Sequence, residues 1–225
     1  MLLTGEEPEP RMELALGFSA GVMLVASFTS LLLPALRVAG FARVALGTAL
    51  GVLCIYAVER YAPHEHLLRG YEGPPQLRGL LRKTWLLALA IIIHNIPEGL
   101  SVGVATTYSV VDGVATALAI GLQDIPEGLA VALPVSKVQG RWVGALVGAL
   151  SGLVETAMSV LAAAILAPLP GLLPLAMGFA GGSMLYVVLK EVVPEIYREG
   201  SSEVKASLGL LAGVYVMLFL DTALQ

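Results

Sequence analysis

The sequence predicts an all-α membrane protein, a polytopic helix bundle that forms a single transmembrane domain over residues 1–225. Three observations predict this class. Of the 225 residues, 57% are hydrophobic and only 13% are charged, whereas a soluble domain is about 25% charged. The mean hydropathy is +0.84. Apolar stretches that could cross a hydrocarbon core, which takes roughly 20 helical residues, occur seven times.

The seven stretches are predicted to be helices because their apolar residues come in runs rather than in strict alternation. Ala, Leu and Gly also outweigh β-branched residues in them. The one long connection, about residues 59–83, is polar and rich in turn formers, which predicts a solvated loop. In chain order the predicted spans are Met12–Leu36, Phe41–Val58, Thr84–Thr106, Val114–Val135, Trp142–Leu166, Leu172–Val193 and Val204–Leu224.

The basic residues predict the orientation, because cytoplasmic loops are enriched in Lys and Arg. Seven crossings place eleven basic residues on the face that holds the N-terminus and the long loop, and only Arg37 and Arg43 on the other. We therefore predict a cytoplasmic N-terminus and long loop, and a C-terminus outside the cell membrane. The net charge of −4 gives no electrostatic reason to expect a nucleic acid partner. The lipid bilayer is the expected surrounding.

Small residues repeat every four positions in several spans, which lets helix backbones approach closely in lipid. A run of three such glycines in the fifth predicted span is less expected by chance than any of the pairs. The repeats are Gly17 with Gly21, Gly47 with Gly51, Gly99 with Gly103, and Gly144 with Gly148 and Gly152.

Two internal repeats relate the spans to each other. HNIPEGLSVGVA begins at His94 and QDIPEGLAVALP begins at Gln123, an offset of 29 residues, so the copies lie on consecutive helices that run in opposite directions. A weaker echo links the first and sixth spans, where a Pro follows fourteen residues after Ala20 and Ala180. Inverted repeats with a polar site at their shared axis are typical of transporters.

The first repeat carries most of the polar residues found within the predicted spans. On a helix, His94 and Glu98 share a face, with Asn95 beside Glu98. Gln123, Asp124 and Glu127 repeat the arrangement, and Glu155 lies in the middle of the next span. Each of the four carboxylates costs roughly 2.5–3.5 kcal/mol at the centre of a membrane helix. These three spans contain no Lys or Arg, so the compensating charge is expected to be protons, a metal cation, or both.

These side chains are interpreted as two adjacent metal sites. One would use His94, Glu98, Gln123 and Glu127, and the other Asn95, Asp124 and Glu155, with Glu98 and Glu127 as bridging ligands. Bridged metals lie about 3.5–4 Å apart. Nitrogen and oxygen ligands without a thiolate suit Zn²⁺, Fe²⁺ or Mn²⁺ better than Cu⁺. Low pH should weaken binding, because the ligands must be deprotonated.

Two other polar groups receive more ordinary interpretations. His64 and His66 are interpreted as part of a solvated turn, with transient metal capture as the alternative. Lys190, Glu191 and Glu195 are predicted to form a charged cluster at the membrane interface, where Lys190 snorkels to the headgroups. The alternative is that they line an exit path.

The paired HNIPEG and QDIPEG motifs on consecutive spans, with a Glu one span later, resemble those of the ZIP (ZRT/IRT-like) family of divalent metal transporters. The resemblance is greatest to the bacterial-type subgroup, whose second motif begins with Gln, and it extends from about Phe18 to the end of the chain. It implies a binuclear centre made of the seven residues chosen above. It also implies a homodimer that moves Zn²⁺, or else Fe²⁺, Mn²⁺ or Cd²⁺, toward the cytoplasm without an organic cofactor.

The sequence departs from the ZIP pattern in two places. ZIP proteins usually have eight core spans, and only a short acidic leader precedes Phe18, so the counterpart of the first span is expected to be missing. The family often has Pro-Glu at the end of the next span, where this chain has Pro34-Ala35.

The leading hypothesis is therefore a divalent metal transporter that works by alternating access around an intramembrane binuclear site. The main alternative is an intramembrane metal-dependent hydrolase, in which the same ligands would hold a water-activating Zn²⁺. Against it, the sequence has no H-E-x-x-H pattern at this site and no base apart from the ligands. A proton-coupled carrier for another cation is the third hypothesis.

Overall fold

The structure is a computed structural model, and it describes residues 10–62, 64–66, 70–72, 83–197 and 200–224. Helices make up nearly all of this part, as predicted. They are α1 (Pro10–Ala26), α2 (Leu33–Tyr61), α3 (Lys83–Tyr108), α4 (Val110–Gln139), α5 (Arg141–Leu166), α6 (Leu173–Val187), α7 (Val193–Ile196) and α8 (Glu203–Ala223).

Short irregular helical segments join some of these helices. A π-helical segment, Ser27–Leu32, links α1 to α2, and a second one, Val188–Val192, links α6 to α7. A 3₁₀ turn, Pro170–Leu172, precedes α6. The predicted loop of about 59–83 is shorter than expected, because α2 extends to Tyr61.

That loop contains a small antiparallel hairpin of β1 (His64–His66) and β2 (Gly70–Glu72). His64 pairs with Glu72 and His66 pairs with Gly70. The side chains of His64 and His66 lie outside the described residues, so transient metal capture by this pair stays untested.

Four stretches of the described residues are long and apolar enough to cross a membrane: Glu13–Tyr61, Arg141–Leu166, Pro170–Ile196 and Glu203–Ala223. The first has 49 residues and changes direction at Gly40, whose φ of +72° is a left-handed conformation that glycine adopts without strain. The polytopic helical class is thus confirmed. The number of seven crossings and their orientation stay predictions.

Three of the predicted glycine repeats mark the tightest helix contacts. Gly17 and Gly21 of α1 lie against the α8 backbone, and a Cβ on Gly21 would be 2.2 Å from the carbonyl oxygen of Leu210. Gly47 and Gly51 pack in the same way on α6. Both contacts are reciprocal, since glycines of α8 and of α6 face carbonyl groups of α1 and α2. Small residues allow this approach in lipid, where burial of apolar surface does not drive association.

The triple glycine run on α5 behaves differently from the prediction. Gly144 lies against Ser136 and Ala132 of α4, but a Cβ on Gly148 or on Gly152 would meet open space. A repeat of small residues shows only that close approach is possible. Among the described residues, one of the three positions, Gly144, has a neighbour within 4 Å of an added Cβ.

The weaker sequence echo corresponds to a shared local structure. Both copies contain a π-helical segment, Ser27–Leu32 in one and Val188–Val192 in the other, and a proline follows each at Pro34 and Pro194. Proline removes an N–H and clashes with the carbonyl four residues earlier, which favours the wider helical turn. Such bulges rotate the side chains around them and are frequent at functional sites.

Candidate metal centre

The predicted ligands lie on α3, α4 and α5, which pack against one another at the centre of the bundle. Gly99 and Gly103 bring α3 onto α5, since a Cβ on either would be 2.2 Å from the carbonyl oxygen of Glu155 or of Ser159. The HNIPEG and QDIPEG motifs both lie within continuous helices. The close contact at Gly99 places the α5 backbone at Glu155 directly beside the first motif.

The most deeply buried part of the centre is a pair formed by Glu98 and Gln123, each of which is 0% exposed. The Gln123 Nε2 amide donates a hydrogen bond to Glu98 Oε1. The other oxygen of each side chain, Glu98 Oε2 and Gln123 Oε1, is buried without a hydrogen-bond partner in the described structure. Both are acceptors, so they suit a proton donor or a cation.

His94 lies between two carboxylates, those of Glu127 and Glu191. Its Nδ1 atom is 3.8 Å from Glu127 Oε1, and its Nε2 atom contacts Glu191 Oε2. Glu127 belongs to the second motif, whereas Glu191 belongs to the π-helical segment that follows α6. The imidazole therefore connects the helices of the paired motif to the sixth predicted span.

Asp124 and Glu155 form a third pair, with their carboxyl groups within hydrogen-bonding reach of each other. The carboxyl groups of Glu127, Asp124 and Glu155 all act electrostatically on that of Glu98. Asn95 is buried as well, at 5% exposed. Contacts and electrostatic interactions thus link six of the predicted ligands, His94, Glu98, Gln123, Asp124, Glu127 and Glu155, while the seventh, Asn95, is buried on the same helix as His94 and Glu98.

The pairs do not amount to a preformed metal cage. No group of three or more His, Cys, Asp and Glu side chains is arranged to hold a metal ion within the described ranges. Hydrogen bonds between the ligands use positions that an ion would need, as at Glu98 with Gln123. The binuclear arrangement inferred from sequence stays a prediction.

Two further carboxylates, Glu191 and Glu59, lie next to this centre, although the sequence predicts other positions for them. Glu191 was predicted to lie in an interfacial cluster, which is wrong, because its side chain is 3% exposed and contacts His94. Glu59 was assigned to the solvated loop, but it lies in α2 and is 2% exposed. Lys190 pairs with Glu59 rather than reaching only toward headgroups. The echo ending at Pro194 was the one sequence signal that pointed to this region.

Fold and site together define a class: a multi-pass helical membrane protein with carboxylate, imidazole and amide side chains buried between its helices. Comparison with known proteins makes the class specific. Residues 63–221 match the family model described as ZIP Zinc transporter.

Several curated relatives agree with that match. Zinc transporter ZIPB of Bordetella bronchiseptica is 43% identical over 227 residues, which cover 93% of this chain and 70% of that protein. Zinc transporter GufA of Myxococcus xanthus is 39% identical over 185 residues, covering 81% of this chain and 71% of that one. Zinc transporter ZupT of Escherichia fergusonii is 35% identical over 231 residues, covering 96% and 87%.

The chain belongs to the ZIP family of transporters. The resemblance noted from the paired motifs is thereby confirmed. Membership makes the chain an integral multi-pass membrane transporter of metal ions rather than an enzyme, so the hydrolase hypothesis is set aside.

Proposed function

We propose that the protein transports divalent metal cations, Zn²⁺ first among them, toward the cytoplasm by alternating access around a binuclear site. One observation carries the proposal: Glu98 and Gln123 are completely buried and each keeps one oxygen without a partner. Three more carboxyl groups act on Glu98, and no Lys or Arg occurs in residues 84–106, 114–135 or 142–166. Such a cluster in lipid requires cations.

The names of the relatives support zinc as the first cargo. ZIPB, GufA and ZupT are each described as a zinc transporter. The donor set is compatible with zinc but does not rank it first, because imidazole and carboxylate ligands together suit Zn²⁺, Fe²⁺ and Mn²⁺ alike. Cd²⁺ is proposed as a further substrate on the same ligands.

In the proposed binuclear site, His94, Glu98, Gln123 and Glu127 hold one ion, and Asn95, Asp124 and Glu155 hold the other with two bridging carboxylates. His94 would exchange its contact with Glu191 for the first ion. X-ray absorption spectroscopy on protein loaded with Zn²⁺ tests the arrangement, since bridged ions would scatter from each other at about 3.5–4 Å. Zinc bound without that scattering would contradict two bridged ions.

Uptake of Zn²⁺ into proteoliposomes tests the function. Glu98→Gln combined with Glu127→Gln keeps the side-chain volumes and removes two charges, so uptake should fall at least about tenfold, since loss of even outer partners of a metal site costs roughly 10–100-fold. Glu203→Gln is the matched control, because Glu203 is exposed in the first turn of α8. Uptake that survives the double substitution would contradict this assignment of the site.

Seven crossings, a cytoplasmic N-terminus and a homodimer are also part of the proposal. Cys54 is the only cysteine, so a Cys54→Ala background allows single cysteines to be introduced at loop positions and labelled from one side of the membrane. Labelling near Arg37 from outside and within residues 63–82 from inside is expected. Mass measurement of the purified protein in detergent tests the dimer.

A further inference from the structure

An ion pair lies beside the metal centre and involves residues that the transport proposal does not use. Lys190 Nζ donates to Glu59 Oε2, and Tyr186 Oη donates to the same oxygen at 2.8 Å. The Lys190 ammonium also lies 5.4 Å from the centroid of the Tyr186 ring. The pair joins the last turns of α2 to the π-helical segment after α6.

The pair is continuous with the metal centre through two buried carboxylates. Glu59 Oε1 has no hydrogen-bond donor in the described structure, and the carboxyl group of Glu59 lies within hydrogen-bonding reach of that of Glu191. Glu191 contacts His94, and His94 in turn approaches Glu127. A chain of polar groups therefore runs from Lys190 to the second motif.

Glu59 and Glu191 would form a metal-binding position if they stood alone. Two adjacent carboxylates supply oxygen atoms of the kind that Zn²⁺ binds, and the neighbouring imidazole of His94 belongs to the proposed centre. Glu59 and Glu191 are 2% and 3% exposed, so their charges are weakly screened by water and attract cations strongly. An ion that left the proposed centre would meet this position next.

Lys190 changes the charge of that position. Its ammonium contacts Glu59 directly, occupies one carboxylate oxygen and adds one positive charge to the position. A divalent ion would have to bind next to a fixed positive charge, and two like charges at short range in a poorly solvated site repel strongly. The amine is attached to the helix, so it stays in place when an ion passes.

We propose that Lys190 is a specificity-determining residue for release, a tethered cation that prevents the Glu59–Glu191 pair from retaining a metal ion on its way out of the centre. The inference rests on the proposed direction of transport, because release toward Lys190 requires that side to be the exit. Exclusion of a metal ion by Lys190 can nevertheless be measured on the purified protein, without an assay of transport.

The test is the amount of Zn²⁺ bound by the purified full chain in detergent at neutral pH, measured by equilibrium dialysis and elemental analysis. Lys190→Met removes the charge and keeps the length of the side chain, and it should bind about one more ion per chain than the native protein, with the carboxylates of Glu59 and Glu191 as ligands. Lys190→Met combined with Glu59→Gln should lose that additional ion. Lys190→Arg keeps the charge and should bind as the native protein does.

Matched controls separate the local effect from a general change in charge. Lys205→Met removes a positive charge from α8 and should leave the stoichiometry unchanged. The additional ion should also persist when Lys190→Met is made together with Glu98→Gln, because Glu98 belongs to the proposed centre only. Should Lys190→Met fail to fold because Glu59 is left buried and unpaired, Lys190→His carries the test, since imidazole is itself a zinc ligand and should also gain an ion.

The outcomes distinguish the inference from the transport proposal. Folded Lys190→Met and Lys190→His that bind no more Zn²⁺ than the native protein would overturn the role of Lys190, whatever the native protein transports. Absence of Zn²⁺ uptake by the native protein, together with a gained ion in Lys190→Met, would instead overturn the transport proposal and leave exclusion of metal by Lys190 standing.

Discussion

Gly99 offers a direct test of how helix packing positions the metal centre. An added Cβ would lie 2.2 Å from the carbonyl oxygen of Glu155, 2.9 Å from its carbonyl carbon and 3.0 Å from its Cα. All three neighbours are backbone atoms, so no flexible side chain can move aside. Gly99→Ala therefore requires α3 and α5 to separate by roughly 1 Å to restore ordinary van der Waals distances.

Two consequences of Gly99→Ala follow from this separation. Overpacking of a well-packed contact costs about 1–3 kcal/mol, partly offset by the roughly 1 kcal/mol by which alanine exceeds glycine in helix propensity. The separation also moves Glu155 away from α3, which carries Glu98. Misplacing a reactive group by about 1 Å can reduce activity on the order of 100-fold, so uptake per folded molecule should fall by more than the loss of stability explains.

Gly148→Ala is the matched control on the same helix pair, because a Cβ there meets open space. It should keep full uptake and gain up to about 1 kcal/mol from helix propensity. Unfolding in mixed micelles gives the stabilities, and Zn²⁺ uptake into proteoliposomes gives the function. If Gly99→Ala matched Gly148→Ala in both measurements, the close packing of α3 on α5 would not position the centre.

Three further predictions test other parts of the structure. Gly209→Ala places a Cβ 2.1 Å from the carbonyl oxygen of Leu14, in the contact between α8 and α1, which carry none of the proposed ligands. It should therefore lower stability by about 1–3 kcal/mol in micelle unfolding while Zn²⁺ binding per folded molecule stays native, and reduced binding would refute this prediction. Tyr186→Phe removes the 2.8 Å hydrogen bond to Glu59. It should lower the free energy of unfolding by about 1.5–3 kcal/mol, as for other hydrogen bonds to charged groups. Equal melting curves for the variant and the native protein would contradict this prediction. Because carboxylate and imidazole ligands must lose protons to bind metal, the apparent Kd for Zn²⁺ should rise as the pH falls, and a pH-independent Kd in dialysis would argue against these ligands.

The sequence was sufficient for the helical class and for the neighbourhood of six of the seven proposed ligands, whereas metal binding by the seven stays a prediction. Both depend on local features: long apolar runs, and a repeated motif whose helical spacing places His94 and Glu98 on one face. The paired motif also predicts that α3 and α4 lie side by side. Three glycine repeats identified real close contacts for the same reason, since a stripe of small residues is a property of one helix face.

The partners of individual side chains depend on how distant segments meet, and the sequence alone did not predict them. Glu59 and Lys190 are separated by 131 positions, and nothing in their local sequences shows that they pair. The direction in which Glu191 points also depends on the π-helical segment, because a widened turn rotates the side chains relative to a regular α-helix. Gly148 and Gly152 show the converse, a local pattern for which the described residues provide no atom within 4 Å of an added Cβ.

Several ligands of the proposed centre are hydrogen-bonded or ion-paired to one another, and a cation that enters must break some of these contacts. An ion that binds Glu98 and Gln123 through their unpartnered oxygens leaves the hydrogen bond between these two side chains intact. An ion that binds His94, by contrast, must displace Glu191 from Nε2 or Glu127 from the side of Nδ1. Each displaced contact subtracts from the free energy of binding. The first ion is therefore expected to bind at Glu98 and Gln123, and recruitment of His94 to be the weaker step. Such a centre releases its ion more readily than a preformed cage does, and a transporter needs that property.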